Sequence, residues 1–172
     1  MFTTPYRSNT YYRRNRLAAA TILCTLSLAL GGCSLISSGD AKRDPSGVPT
    51  ESSQADAFKV KTGDCMAEPD GSEVKDVTII PCAQAHDFEA FAATKLDGSD
   101  YPGDAVISQK AEDFCSKEFA TFIGKPFDGS GLEMTYFFPT RESWKTGDKE
   151  IVCLVGGAAG EQTKGSLKGS KK

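Results

Sequence analysis

From Asp104 to Phe122 the apolar residues recur at helical spacing. Placed about 100° apart, Ile107, Ala111, Phe114, Cys115, Phe119 and Phe122 fall within an arc of about 140°. That pattern predicts one amphipathic helix packed through a single face. Asp104 follows Tyr101-Pro102-Gly103 and stands where a side-chain oxygen caps the free amides of a first turn. Gly124 stands where a helix ends in the left-handed conformation. Elsewhere the period is two. Leu132, Met134, Tyr136 and Phe138 share one side of a strand, and Ile151, Cys153 and Val155 one side of another. Weaker strand patterns run over 58–61, 74–80 and 88–94. Asp-Gly-Ser recurs at Asp70, Asp97 and Asp128, between apolar runs, where Asp and Gly suit tight turns. The expected fold is α+β: a small single domain with a mostly antiparallel sheet packed on one main helix.

The ends of the chain have a different texture. Arg13-Arg14-Asn15-Arg16 precedes the apolar run Leu17–Leu30, and Gly31-Gly32-Cys33 follows, the order of a secretory signal. The run is 14 residues, short of the roughly 20 a helix needs to span the hydrocarbon core. Leu30-Gly31-Gly32-Cys33 resembles the bacterial lipobox. By that resemblance the Cys33 thiol receives a diacylglycerol and becomes the mature N-terminus, held in the membrane by its acyl chains. Arg13-Arg14 also raises twin-arginine export, but Arg16 stands where that signal has an apolar residue. Residues 34–56 are rich in Ser, Gly, Asp, Pro and Lys and hold no aromatic residue, a composition that offsets little ordering entropy by burial. The expected division is a lipoprotein signal peptide at 1–32, a lipid-anchored disordered linker at 33–56, a domain at 57–156, and a disordered Gly/Ser/Lys tail at 157–172.

At 172 residues, 39% apolar and 25% charged, the chain has room for one globular domain and excludes a large multidomain enzyme. Residues 1–32 hold four Arg and no acid, leaving 16 basic against 23 acidic residues beyond them. That balance argues against nucleic acid as a partner. Within 57–156 the count is 10 basic against 18 acidic, a surface that repels anionic wall polymers and favours a basic protein partner. Exported domains of this size commonly need disulfides. With Cys24 in the signal segment and Cys33 lipidated, Cys65, Cys82, Cys115 and Cys153 remain, an even set with three connectivities that sequence cannot decide among. The short loop favours Cys65 with Cys82, and therefore Cys115 with Cys153. No Cys-x-x-Cys motif suggests redox catalysis, and the spacings do not suit a zinc site.

His86 is the only histidine, so any Ser-His-Asp or Cys-His catalysis must use it. No Gly-x-Ser-x-Gly elbow accompanies it. His86 and Glu89 would converge on a metal if helical, but on a strand they point to opposite faces. Asp97-Gly98-Ser99-Asp100 hints at calcium, yet Tyr101 stands where an oxygen ligand is needed, and a turn is the simpler role. Trp144 is either an exposed platform for a glycan or protein, or a lid on the core. A hydrogen-bonded structural role is the expected one for His86, with metal binding or catalysis as its alternatives; the candidate binding residues are His86, Glu89 and Trp144, and no catalytic residue, metal or cofactor is expected.

Several spaced elements agree with one family: Val60-Lys61-Thr62-Gly63-Asp64-Cys65; Pro81-Cys82 with His86 and Glu89; Tyr101-Pro102-Gly103; Ala111, Cys115 and Phe119; and Pro139-Thr140, Ser143-Trp144, Gly147-Asp148 and Cys153. Over about residues 57–156 this resembles the septum formation domain of actinobacterial envelope proteins. Lys149 departs from the pattern, since the family more often has Arg after Gly-Asp; a cation is kept and a bidentate fork lost. The resemblance implies an extracytoplasmic, membrane-attached module linked to septation, with no catalytic residues to carry over. The expectation is therefore a non-enzymatic, lipid-anchored binding or structural module on the outer face of the cell membrane. Its partners would be the membrane, through Cys33, and an envelope or division protein. The alternative is a small envelope enzyme using His86.

Overall fold

The computed structural model describes residues 39–71, 74–158 and 160–172. The signal segment and Cys33 lie outside the described residues.

The long helix, α1 (Asp104–Ile123), buries Ile107, Ala111, Cys115, Phe119 and Ile123. Phe114 and Phe122 sit at the margin of that stripe, half-buried against the same core. Gly124 ends the helix at φ 83° in the left-handed region, where its N–H reaches Ala120 O. The N-terminus differs from the expected cap. Gly103 holds the cap position with no side-chain hydrogen bond, and Asp104 is already helical, its carboxylate accepting the Tyr101 hydroxyl instead.

The strands are β1 (Ser53–Asp56), β2 (Cys65–Met66), β3 (Asp76–Ile80), β4 (Ala85–His86), β5 (Phe88–Lys95), β6 (Glu133–Phe137), β7 (Glu150–Gly156) and β8 (Thr163–Lys164). A short helix α2 (Arg141–Lys145) precedes β7. Six strands form one antiparallel sheet in the order β1-β3-β2-β5-β7-β6, and β4 pairs with β8 apart from it. The expected strand over 58–61 is absent. Asp56 accepts a hydrogen bond from Phe58 N and caps a 3-10 turn over Ala57–Lys59, while the strand lies just before, in the segment assigned to the linker. β6 ends at Phe137, and Phe138, half-exposed just beyond it, keeps its ring 6.0 Å from that of Tyr136.

Alternation along the sheet gives two apolar faces. Ile151, Cys153 and Val155 of β7 pack under α1, whereas Val152 and Leu154 join Met66, Val77, Ile79 and Phe88 on the other face, the inside of the sheet's curl. A bulge in β5 shifts the register between Ala90 and Ala92. Because of it, Phe91 and Ala92 both turn toward the helix, with Phe91 edge-on to Phe119 at 6.0 Å. Cys115–Cys153 bolts α1 to β7, and Cys65–Cys82 ties β2 to the loop after β3. In the chain-entropy account the two closures contribute about 3 and 4 kcal/mol.

Both polar ends depart from their expected disorder. Residues 39–51 form an arm whose Ala41 enters the second apolar cluster and whose Arg43 makes a two-pronged pair with Asp64, at 2.6 and 2.7 Å. Residues 160–172 are folded as well. β8 pairs with β4, Leu167 is buried in the core under α1, and Gly169 N and Lys171 N donate to Phe122 O and Ile123 O. Those carbonyls belong to the last turn of α1, which has no partners of its own for them. Gly156 and Gly157 steer the chain into this course: a Cβ on the first would sit 2.6 Å from Asp87 O, and one on the second would collide with Glu161 O.

Candidate functional site

His86, Glu89 and Trp144 are the residues the sequence singles out, and all three face inward. His86 is fully buried, with Nδ1 at 2.9 Å from Gln84 O and Nε2 at 3.0 Å from Thr163 Oγ1. Both ring nitrogens are occupied, one by the local turn and one by β8. Glu89, 2% exposed, accepts Ser166 Oγ at 2.6 Å and Leu167 N at 2.7 Å. A continuous strand would send His86 and Glu89 to opposite faces. Here the break at Asp87 separates β4 from β5, and both side chains meet the C-terminal segment.

Trp144 is 4% exposed and therefore lids the core rather than forming a platform. Its Nε1 donates to Ser99 O at 2.9 Å, the Tyr101 ring meets it edge-on at 5.8 Å, and Lys149 Nζ lies 4.9 Å from the centre of its ring. A capping box at Thr140 and Ser143, with Ser143 Oγ donating to Asp148 at 2.9 Å, builds the short helix that carries it. Lys149 also donates to Gly98 O, so a simple cation serves where a fork would be redundant. Arg141 stacks on the outer side of Tyr101, 4.8 Å from the ring centre. Burial and the neighbouring Asp104 carboxylate push the Tyr101 phenol up to about 12.

Cys65, Cys82 and Glu89 place their ligand atoms within 4.8 Å of one another. Three such groups would attract a soft metal ion if the sulfurs were thiolates. The disulfide and the two donors already on Glu89 commit these atoms to the fold.

What the sequence analysis did not single out is a groove of about 940 Å³ on the opposite side of the sheet from α1. Phe88, Phe137 and Val152 form its floor. One wall comes from the turn after β1 and the start of β3, with Phe58 52% exposed; the other comes from β6, Phe138 and α2. Among the described residues seven carboxylates and one amine, Lys75, line it. Glu68, Asp76, Glu133, Glu142 and Glu150 are exposed and make no ion pair, since the pairs among the described residues are Lys42–Glu51 and Arg43–Asp64. The net acidity of the domain was legible as a count. Its collection in one place was not, because the residues come from five separate stretches of chain that the curl of the sheet brings together.

Fold and surface together define a small disulfide-stapled α+β domain whose polar core groups serve the structure and whose open feature is an acidic, aromatic-floored groove. A family profile described as Septum formation matches residues 62–172, and the chain belongs to that family. The match runs through the C-terminal segment, beyond the boundary at 156 expected from the sequence. No curated protein and no solved structure matches the chain. Among the described residues no helix is long and apolar enough to cross a membrane.

Proposed function

We propose that this protein is a non-catalytic binding module of the cell envelope, anchored by lipid at Cys33 on the outer face of the cell membrane and acting in septum formation. The observation that carries the reading is the contrast within the domain. His86 and Glu89, the groups a hydrolytic or metal mechanism would need, are buried and spent on the C-terminal segment, while the groove is open and its exposed carboxylates make no ion pair among the described residues. A general acid or base has to reach a substrate proton; a recognition surface needs only accessible chemistry in a fixed place.

The anchor adds a geometric bound. With residues 39–51 folded onto the domain, only six peptide units separate Cys33 from Gly39, at most about 20 Å when fully extended. Such a tether holds the domain against the membrane surface, where division proteins work. The test is a fluorescent fusion imaged in dividing cells beside Cys33→Ala. Enrichment at septa that Cys33→Ala abolishes is the expected result, and uniform envelope fluorescence through every stage of division removes the septal role.

A further inference from the structure

We infer that the groove receives an extended, lysine- or arginine-rich segment of a partner protein, which adds as a strand to the outer edge of β6. The inference rests on the binding-module reading above and gives it a ligand class. Two observations converge on it.

The first is charge. Glu133 and Glu150 rise from adjacent strands, Glu142 from α2, and Asp76 and Glu68 from the facing wall, with Lys75 as the lone cation among the described residues. Carboxylates stand on both walls and at both ends of the β6–β7 ladder, so an extended cationic segment lying along the groove meets them in turn. A polyanion is excluded and a cationic chain is drawn in. The exposed rings of Phe58 and Phe138 offer apolar and cation–π contact to the stems and heads of such side chains.

The second is an open strand edge. β6 pairs with β7 on one side only, and no backbone group among the described residues bonds to its outer edge. The sheet's other edge strand, β1, is approached by the N-terminal arm, Asp56 N donating to Gly39 O. Glu133, Thr135 and Phe137 of β6 face the groove, and the strand contains neither Pro nor Lys to block pairing. An entering strand would satisfy the free N–H and C=O groups of β6 while its alternate cationic side chains meet the acids. An acidic cleft suited only to a small amine would not need that edge.

The experiment measures fluorescence anisotropy of a labelled peptide alternating lysine and valine, titrated with the full chain in detergent. The expected result is binding that weakens as salt rises, is absent for a glutamate–valine peptide, and is lost when alternate peptide nitrogens are methylated. Glu133→Gln combined with Glu150→Gln weakens binding roughly tenfold, whereas Glu112→Gln, outside the groove on α1, leaves it unchanged. Circular dichroism confirms that both variants keep the fold. Equal binding of the acidic peptide, or no effect of the double variant, overturns the proposal. Undiminished binding of the methylated peptide overturns strand addition. Self-association lost in the same double variant, without peptide binding, assigns the groove to a second copy and also overturns it. Peptide binding together with uniform envelope fluorescence would leave the groove's ligand standing and remove the septal role; septal enrichment without peptide binding would do the reverse.

Discussion

Residues 39–51 and residues 160–172 both lie on the domain, and a single buried carboxylate holds each: Asp64 the first, Glu89 the second. Asp64, 1% exposed, meets the Arg43 guanidinium in two parallel bonds and also takes Lys61 N at 2.8 Å. The pairing favours the charged guanidinium and raises the Arg43 pKa. Among the described residues Glu89 has no cation; a hydroxyl and a backbone amide hold its two oxygens. The arms also reach different cores, Ala41 entering the cluster inside the sheet's curl and Leu167 the cluster under α1. An ion pair concentrates the hold on two residues. Neutral donors spread it over a segment that β8, Leu167 and the end of α1 also secure.

That difference predicts which arm is easier to break. Arg43→Ala leaves Asp64 buried without its cation and should cost about 3 kcal/mol. A denaturant midpoint measured beside wild type checks this, and proteolysis within 39–51 should rise with it. An effect below experimental error would mean that Asp64 finds water and that the pair is not what fixes this arm. Glu89→Gln removes the charge-assisted part of two hydrogen bonds and should cost about 2 kcal/mol. Hydrogen exchange should then accelerate in residues 163–171 while the amides of β5 and β7 stay protected. Loss of protection throughout would show that the C-terminal segment and the sheet open as one unit.

The smallest effect belongs to neither arm and serves as a reference for both. Tyr101 ionises near 10 in an unfolded chain and about 12 in the fold, because burial and the Asp104 carboxylate disfavour the phenolate. A raised pKa in a neutral acid means that the stabilisation is complete below pH 10 and fades as pH rises from 10 toward 12, since the unfolded chain ionises first. Tyr101→Phe should flatten that decline and change little at neutral pH. Melting curves across the alkaline range test it, and an unchanged slope in Tyr101→Phe would assign the decline to other groups.

The helix face from Ile107 to Phe119, the strand in Ile151–Val155 and the disulfide-bonded set Cys65, Cys82, Cys115 and Cys153 were all legible in the residues, because period and parity are local properties that packing leaves intact. His86 reads in the sequence first as a hydrogen-bonded structural histidine, with Glu89 beside it as a candidate binding residue, and in the fold both tie down the C-terminal segment. Their chemistry was visible, and their partners, Thr163 and Ser166, lie 77 residues away. The arms were misjudged for the same reason. Composition measures what a segment can bury by itself, and residues 39–51 and 160–172 bury almost nothing alone.

Local spacing and counting were enough for the α+β class, the face of α1, the cysteine set and the acidic balance. Packing between distant segments was needed to fold the polar ends, to make Trp144 a lid, and to set Glu68, Asp76, Glu133, Glu142 and Glu150 around one groove. A single apolar residue such as Ala41 or Leu167 stabilises an arm only where the rest of the fold offers a core to receive it. Scattered carboxylates become a site only where a curled sheet sets distant stretches of chain around one groove.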